Sequence, residues 1–320
     1  MARSQGRTRL LRLPGRTPIP DAVGGRLPRR AGGREPAPLA GLAAIAERYE
    51  VLFCDVWGVI HNGREAFPCP CASLERWRAE RGPVILVSNS PRPWPEVAEQ
   101  LDGLGVPRQG WSVLVTSGDV TRDLLEARAP GPALAIGPER DAGLYSGLGL
   151  EFAGPTAAAF IACTGLEDDE TQTPEDYRDV LAAAAARGLE MICANPDKVV
   201  QRGERLIWCA GALAALYQGM GGTVRMAGKP YAPIYALCLA KAGAALGRGI
   251  ERRKVLAIGD GVATDIAGAN REGLDAVFIA GGIHADEFAA APRAADPALA
   301  QALLARSGAW ADYTMRELAW

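Results

Sequence analysis

"VLAIGDGVATDIAGANREG", residues 255–273, is the stretch that decides the fold. An apolar run ends at Gly259 and an aspartate, Asp260, and a helical pattern then carries the chain to Gly273. A buried strand passing through a glycine turn into a helix is the unit of a parallel sheet covered on both faces. Here it delivers one carboxylate at the strand end, Asp260, and a second, Asp265, in the first turn of the helix. Two carboxylates so placed can hold a hard cation, one directly and one through water, as magnesium prefers. Taken singly, each could instead serve as a turn residue or an N-cap.

The same unit recurs upstream. "YEVLFCD" (49–55) opens the series. "VILVSNS" (84–90) precedes "PEVAEQLDGLG" (95–105), and "VLVTSGD" (113–119) precedes "VTRDLLEAR" (120–128). "FIACTGL" (160–166) precedes "PEDYRDVLAAAAARG" (174–188), and "MICANPD" (191–197) follows it. The chain therefore reads as α/β. The helix from 174 to 187 has Thr173 as N-cap, Pro174 at its first position and Gly188 at its end. Residues 1–40, with "GRTPIPDAVGGRLPRRAGGREPAP" at 15–38, lack apolar periodicity and are expected to be a disordered tail.

Composition narrows the function. The 320 residues allow more than one module, and 35 Lys plus Arg nearly balance 37 Asp plus Glu, so no global field recruits nucleic acid or an acidic membrane. No apolar stretch reaches the ~20 residues that span a bilayer, and no secretory signal is evident, so a cytoplasmic protein is expected. Seven scattered cysteines without CxxC pairs read as reduced, mostly buried thiols. With only two histidines, His61 and His284, a histidine-rich metal centre is excluded, and any metal must be held by oxygen.

Polar residues gather at the carboxyl ends of the apolar runs, where ligands bind in open α/β sheets. Asp55 ends "VLFCD" and could attack phosphorus to form an aspartyl-phosphate, or could simply cap the following turn. Ser88 and Asn89 could offer a hydroxyl and an amide to a phosphoryl oxygen, or form a turn in "SNSPRP". Lys229 in "AGKP" could neutralise phosphate and Asp55 together, or lie in an ordinary loop.

In order, "DVWGV", "VSNS", "GKP" and "GDGVATDI" resemble the four signatures of the haloacid dehalogenase superfamily, over about residues 48–310. The insertion between the second and third signatures is similar to the α/β cap of the class IIA branch, which includes phosphatases of sugar phosphates, pyridoxal phosphate and phosphoglycolate. The resemblance implies a Rossmann-like core (41–116 and 225–320) with an inserted cap (117–224). It implies Asp55 as nucleophile and Ser88 and Lys229 as phosphoryl ligands. It also implies magnesium held by Asp55, Asp260, Asp265 and the backbone carbonyl of Trp57. Asn195 and Asp197 of the cap would read the leaving group of a small phosphorylated metabolite, and a homo-oligomer formed through the cap stays open.

One position departs from the pattern. In typical phosphatases of the superfamily the side chain two residues after the nucleophile is the general acid and base, and Trp57 can be neither. Positioned proton transfer contributes roughly 10²–10⁴-fold. Three expectations follow: a phosphatase with a substitute proton carrier such as His61, a different reaction of the superfamily, or a binder that senses a phosphorylated metabolite. Dehalogenases carry an aromatic residue there but need no magnesium, which would leave the acidic pair without purpose. A phosphonate hydrolase would want a cap lysine, and Lys198 is the cap's only one.

Overall fold

A computed structural model describes residues 35–202, 205–289 and 295–320. Of the expected tail, residues 1–34 lie outside the described residues. The stretch just after them is not a tail: Ala37–Pro38 form strand β1, paired with the last strand of the chain.

The chain then runs through β2 (Val51–Asp55), α1 (Pro68–Glu80), β3 (Val84–Ser88), α2 (Trp94–Gly103), β4 (Val113–Thr116) and α3 (Ser117–Glu126). It continues through β5 (Ala133–Ile136), β6 (Phe160–Cys163), α4 (Arg178–Ala186), β7 (Glu190–Cys193), β8 (Val199–Arg202), β9 (Arg205–Trp208), α5 (Ala210–Gly219) and β10 (Thr223–Met226). It closes with α6 (Ala232–Leu246), β11 (Val255–Gly259), α7 (Ala267–Glu272), β12 (Asp275–Ile279), α8 (Pro297–Arg306) and β13 (Tyr313–Met315).

Two parallel sheets result. The larger has the order β1-β13-β12-β11-β2-β3-β4, and the smaller β10-β7-β6-β5; β8 and β9 form a separate antiparallel hairpin. In the larger sheet the chain moves outward from β2 through β3 to β4, then returns on the other side of β2 with β11. The strand order reverses between β2 and β11, and a crevice opens outside their carboxyl ends. The register sets Asp55 beside Val87 and Ser88 beside Thr116, so the polar residues finish level with one another.

Both faces of the larger sheet are covered, which is why its strands read as unbroken apolar runs. Leu52, Cys54, Leu86 and Ile258 pack with Leu74 and Trp77 of α1 on one face. Val51, Phe53, Ile85 and Ala257 pack with Ile234, Tyr235 and Cys238 of α6 on the other. The smaller sheet repeats the scheme, with Ile161, Met191 and Cys193 against Leu181 of α4 and Leu213 and Tyr217 of α5. Its opposite face sets Phe160, Ala162 and Ile192 against Leu125 of α3. The expected 174–187 helix is present with a modified start. Thr173 and Asp176 form a capping box, Pro174–Tyr177 make a 3₁₀ turn, and α4 follows until Gly188 at φ 67°. All seven cysteines are free and only Cys69 is exposed, as expected of reduced thiols. Among the described residues, no helix is long and apolar enough to cross a membrane.

Candidate active site

The crevice at the β2/β11 reversal is one end of a cavity of about 380 Å³ whose far wall belongs to the smaller sheet and the hairpin. Asp55, Ser88, Asn89, Lys229, Asp260 and Asp265 line one side, and Asn195, Asp197, Val200 and Trp208 the other. Every candidate site residue read from the sequence reaches this cavity.

Lys229 is the hub. Its Nζ donates to Asp55 Oδ1 at 2.5 Å, to Asp265 Oδ1 at 2.7 Å and to the Val87 carbonyl at 3.1 Å, with its side chain 4% exposed. Asp265 is aimed there by a π-helical turn, Val262–Ile266, in which the Ile266 N–H reaches back to the Gly261 carbonyl. Asp265 Oδ2 accepts from the Gly261 N–H at 3.0 Å, closing the turn on itself. Asp260 Oδ2 accepts from the Ile283 N–H at 2.7 Å. Two glycines make room for that carboxylate. A Cβ on Gly58, at φ 84°, would sit 2.1 Å from Asp260 Oδ2, and one on Gly282 would sit 2.0 Å from it.

Ligand oxygens of Asp55, Asp260 and Asp265 all lie within 4.8 Å of one another. Three carboxylates and one ammonium leave two surplus negative charges if all ionise. Burial pushes the pKa of each carboxyl up, Asp265 to about 6 and Asp260 well above its ordinary value; for Asp55 the Lys229 ammonium opposes the rise without cancelling it. Against the opposing cost of burial, Asp265, Asp55 and Asp197 raise the Lys229 pKa well above its ordinary value. An all-oxygen donor set with a double charge surplus fits a hard divalent cation.

Two residues do something other than expected. Asn89 was expected to offer its amide to phosphate. Instead its Nδ2 donates to Asp197 Oδ1 at 2.9 Å and to the Lys229 carbonyl at 3.3 Å, while its Oδ1 accepts from the Lys229 N–H at 2.7 Å. Both amide hydrogens and the carbonyl are committed, so Asn89 is a clamp holding Lys229 to the loop after β7. Ser88 is free of that constraint. Its Oγ accepts from the Ser90 N–H at 3.1 Å, which leaves its own proton to donate.

His61 was expected as a substitute proton carrier. It is 2% exposed, burial lowers its pKa to about 4, and its Nδ1 accepts from the Gly63 N–H at 2.9 Å. A neutral imidazole with one nitrogen already engaged is a poor proton donor near pH 7. The ring packs edge-on against Trp57 at 5.0 Å between centroids. Gly63, at φ 84°, accommodates the indole, because a Cβ there would lie 2.5 Å from Trp57 Cζ2. The position two after Asp55 is thus filled by a locked indole. Lys198, the only lysine between residues 117 and 224, is exposed and does not line the cavity.

The sequence reading missed the arginines. Arg92, Arg140 and Arg202 all line the cavity. Arg202 pairs with Asp169 at 3.0 Å and Glu170 at 3.1 Å, and Arg140 also pairs with Asp169, tying the hairpin to the loop after β6. Arg92 alone had a local signal, three residues past Asn89 in "SNSPRP".

The fold and this lysine-centred carboxylate cluster define a Rossmann-like hydrolase. Comparison with known proteins makes the class specific. A model described as haloacid dehalogenase-like hydrolase matches residues 52–151, and a second HAD-hydrolase-like model matches 226–305. A crystal structure of a hydrolase of the haloacid dehalogenase-like family from Brucella suis 1330 is 45% identical, covers 87% of this chain and 98% of its own, and superposes with a TM-score of 0.78. The chain belongs to the haloacid dehalogenase-like hydrolase family. A D-glycerol 3-phosphate phosphatase of Mycobacterium tuberculosis is 28% identical over 76% of this chain and 66% of its own, so the chain spans just under two thirds of that relative. A crystal structure of glycerol phosphate phosphatase from the same organism, in complex with magnesium, is 28% identical with a TM-score of 0.56, covering 75% of this chain and 70% of that one.

Proposed function

We propose that the protein is a magnesium-dependent phosphatase of a small phosphomonoester such as a sugar phosphate, with Asp55 as nucleophile and residues 117–224 as a cap over the site. The observation that carries this is Lys229 Nζ bridging Asp55 and Asp265 beside Asp260 at one side of the cavity. Its size, about 380 Å³, suits a small metabolite rather than a polymer.

Lys229 holds Oδ1 of Asp55 and so fixes the rotation of the carboxylate before a substrate enters. One carboxylate oxygen attacks phosphorus in line with the ester oxygen, which departs on the opposite side. Lys229 and the Ser88 hydroxyl donate to the phosphoryl oxygens on which charge develops. Water then cleaves the aspartyl-phosphate and restores Asp55. Asp55, Asp260, Asp265 and the carbonyl of Trp57 would hold magnesium, which when bound supplies neutralising charge for the phosphoryl group. Lys198 does not line the cavity, which weighs against the Schiff-base chemistry of a phosphonate hydrolase.

The test is phosphate release from p-nitrophenyl phosphate and a panel of sugar, pyridoxal and nucleoside phosphates, with Asp55→Asn as blank. Release that needs magnesium and vanishes in the variant is the expected result. Binding of these esters without release would instead make the protein a sensor.

A further inference from the structure

Trp57 leaves the phosphatase reading one group short, since an indole can neither protonate a departing alkoxide nor take a proton from water. In an in-line displacement the leaving oxygen lies opposite the nucleophile. Asp55 lines the cavity at the end of β2, and the smaller sheet and the hairpin supply much of the remaining lining that a departing group could meet. The loop after β7 brings a carboxyl into that lining, Asp197.

Its placement is fixed from three sides. Oδ1 accepts from Asn89 Nδ2 at 2.9 Å, its N–H donates to Asn195 Oδ1 at 3.0 Å, and its carbonyl accepts from the Gly211 N–H at 3.0 Å. Gly211 is at the start of α5, where a Cβ would come 2.5 Å from that carbonyl. Oδ2 makes no hydrogen bond among the described residues, so half of the carboxyl remains for a ligand.

We propose that Asp197, on the phosphatase reading above, is the general acid and base that Trp57 is not. In the first step an oxygen of Asp55 bonds to phosphorus as the ester P–O bond breaks, and the proton on Asp197 passes to the leaving oxygen, releasing the alcohol. In the second step Asp197, now a carboxylate, takes a proton from the water that bonds to phosphorus. The Asp55–phosphorus bond breaks, leaving inorganic phosphate, ionised Asp55 and protonated Asp197.

The surrounding charges suit the role. Burial raises the Asp197 pKa to about 6; Lys229 and the Asn89 amide pull it down, and Asp265 pushes it up. The neighbouring thiols, Cys193 and Cys209, are kept protonated by burial; Asp55 lies close enough for Asp197 to raise its pKa, and Asp169 and Arg202 act on Cys209. A carboxyl that titrates near neutrality can both give and take a proton.

The experiment compares Asp197→Asn with wild type on glycerol phosphate, a poor leaving group, and p-nitrophenyl phosphate, a good one. The variant is expected to lose roughly 10²–10⁴-fold in kcat on glycerol phosphate. On the aryl ester it is expected to give a burst of one nitrophenolate per enzyme, with the phosphoryl group retained on Asp55 and visible in the intact mass. The limb of the wild-type pH–kcat profile assigned to Asp197 should disappear. Asn89→Ser, which breaks the same contact but keeps the carboxyl, should slow both esters alike without a burst. If Asp197→Asn also slows both alike without a burst, or has no effect, Asp197 is only a positioning residue and the proposal is overturned. A wild type that releases phosphate from neither ester overturns the phosphatase reading, and this one with it.

Discussion

The two parallel sheets aim polar groups from the carboxyl ends of their strands, and they do it differently. At the strand ends of the larger sheet the carboxylates are tied together: Lys229, from the segment just after β10, joins Asp55 to Asp265, and glycines at 58 and 282 press the backbone against Asp260. In the smaller sheet the loop after β7 presents Asn195 and Asp197, bound mainly to backbone and to one amide, with an oxygen to spare. Closed clusters fix charge in place for chemistry that is always the same, whereas a single half-engaged carboxyl can meet whatever enters. The lesson is that order at the strand ends of one sheet and availability at those of the other belong to the same site.

The comparison breaks first at Asp55. Asp55→Asn should lower phosphate release by roughly 10⁴-fold or more, because the covalent step is lost; a colorimetric phosphate assay is sufficient. Next comes Gly282→Ala, which puts a methyl 2.0 Å from Asp260 Oδ2 at a residue whose φ is not itself restrictive. It should cost about 1–3 kcal/mol of stability by denaturant titration and weaken magnesium binding by calorimetry. The same substitution at Gly211 tests the smaller sheet and should disturb only the Asp197 loop.

A third prediction sharpens the contrast by pH. The folded-state pKa of Asp197 is raised from its ordinary 3.8 to about 6, so the fold favours the protonated acid. Its contribution to stability is full below 3.8 and is lost as pH rises through about 6. Asparagine never ionises, so the Tm of Asp197→Asn relative to wild type should rise steadily between pH 4 and pH 6.5, read by calorimetry without metal. The smallest effect is expected at Arg202, whose side chain is 33% exposed and paired with Asp169 and Glu170. Arg202→Ala should change stability by about 1 kcal/mol or less and raise KM while sparing kcat.

The centre of the larger sheet was legible because three of its strands, β2, β3 and β11, each carry their own marker. An apolar run followed at once by Asp55, Ser88 or Asp260 announces both a buried parallel strand and a polar end. The acidic pair could be read because Asp260 and Asp265 lie five residues apart on one turn. The Asn89 clamp could not, since its partners are 108 and 140 residues away and no local pattern records that both amide hydrogens are already engaged. Arg140 and Arg202 are equally silent in sequence, being ordinary charged residues until the hairpin folds over the cavity. The first strand was hidden for a different reason: Ala37–Pro38 is held by backbone bonds, Ala37 N–H to Asp312 and Leu39 N–H to Thr314, which side-chain patterning does not reveal.

The π turn at Val262–Ile266 makes the length of this segment as consequential as its composition. A π turn is an α-helical turn carrying one additional residue. Removing Ala263 would let the turn relax to ordinary helix, and each residue of helix subtends about 100°. The carboxylate of Asp265 would swing around the axis by about that angle, away from Lys229, with every side chain of the motif still present. Genetic variation here should therefore tolerate replacement of Ala263 far better than its deletion. A one-codon gap in an alignment would mark loss of the site even where Asp55, Lys229, Asp260 and Asp265 are all retained.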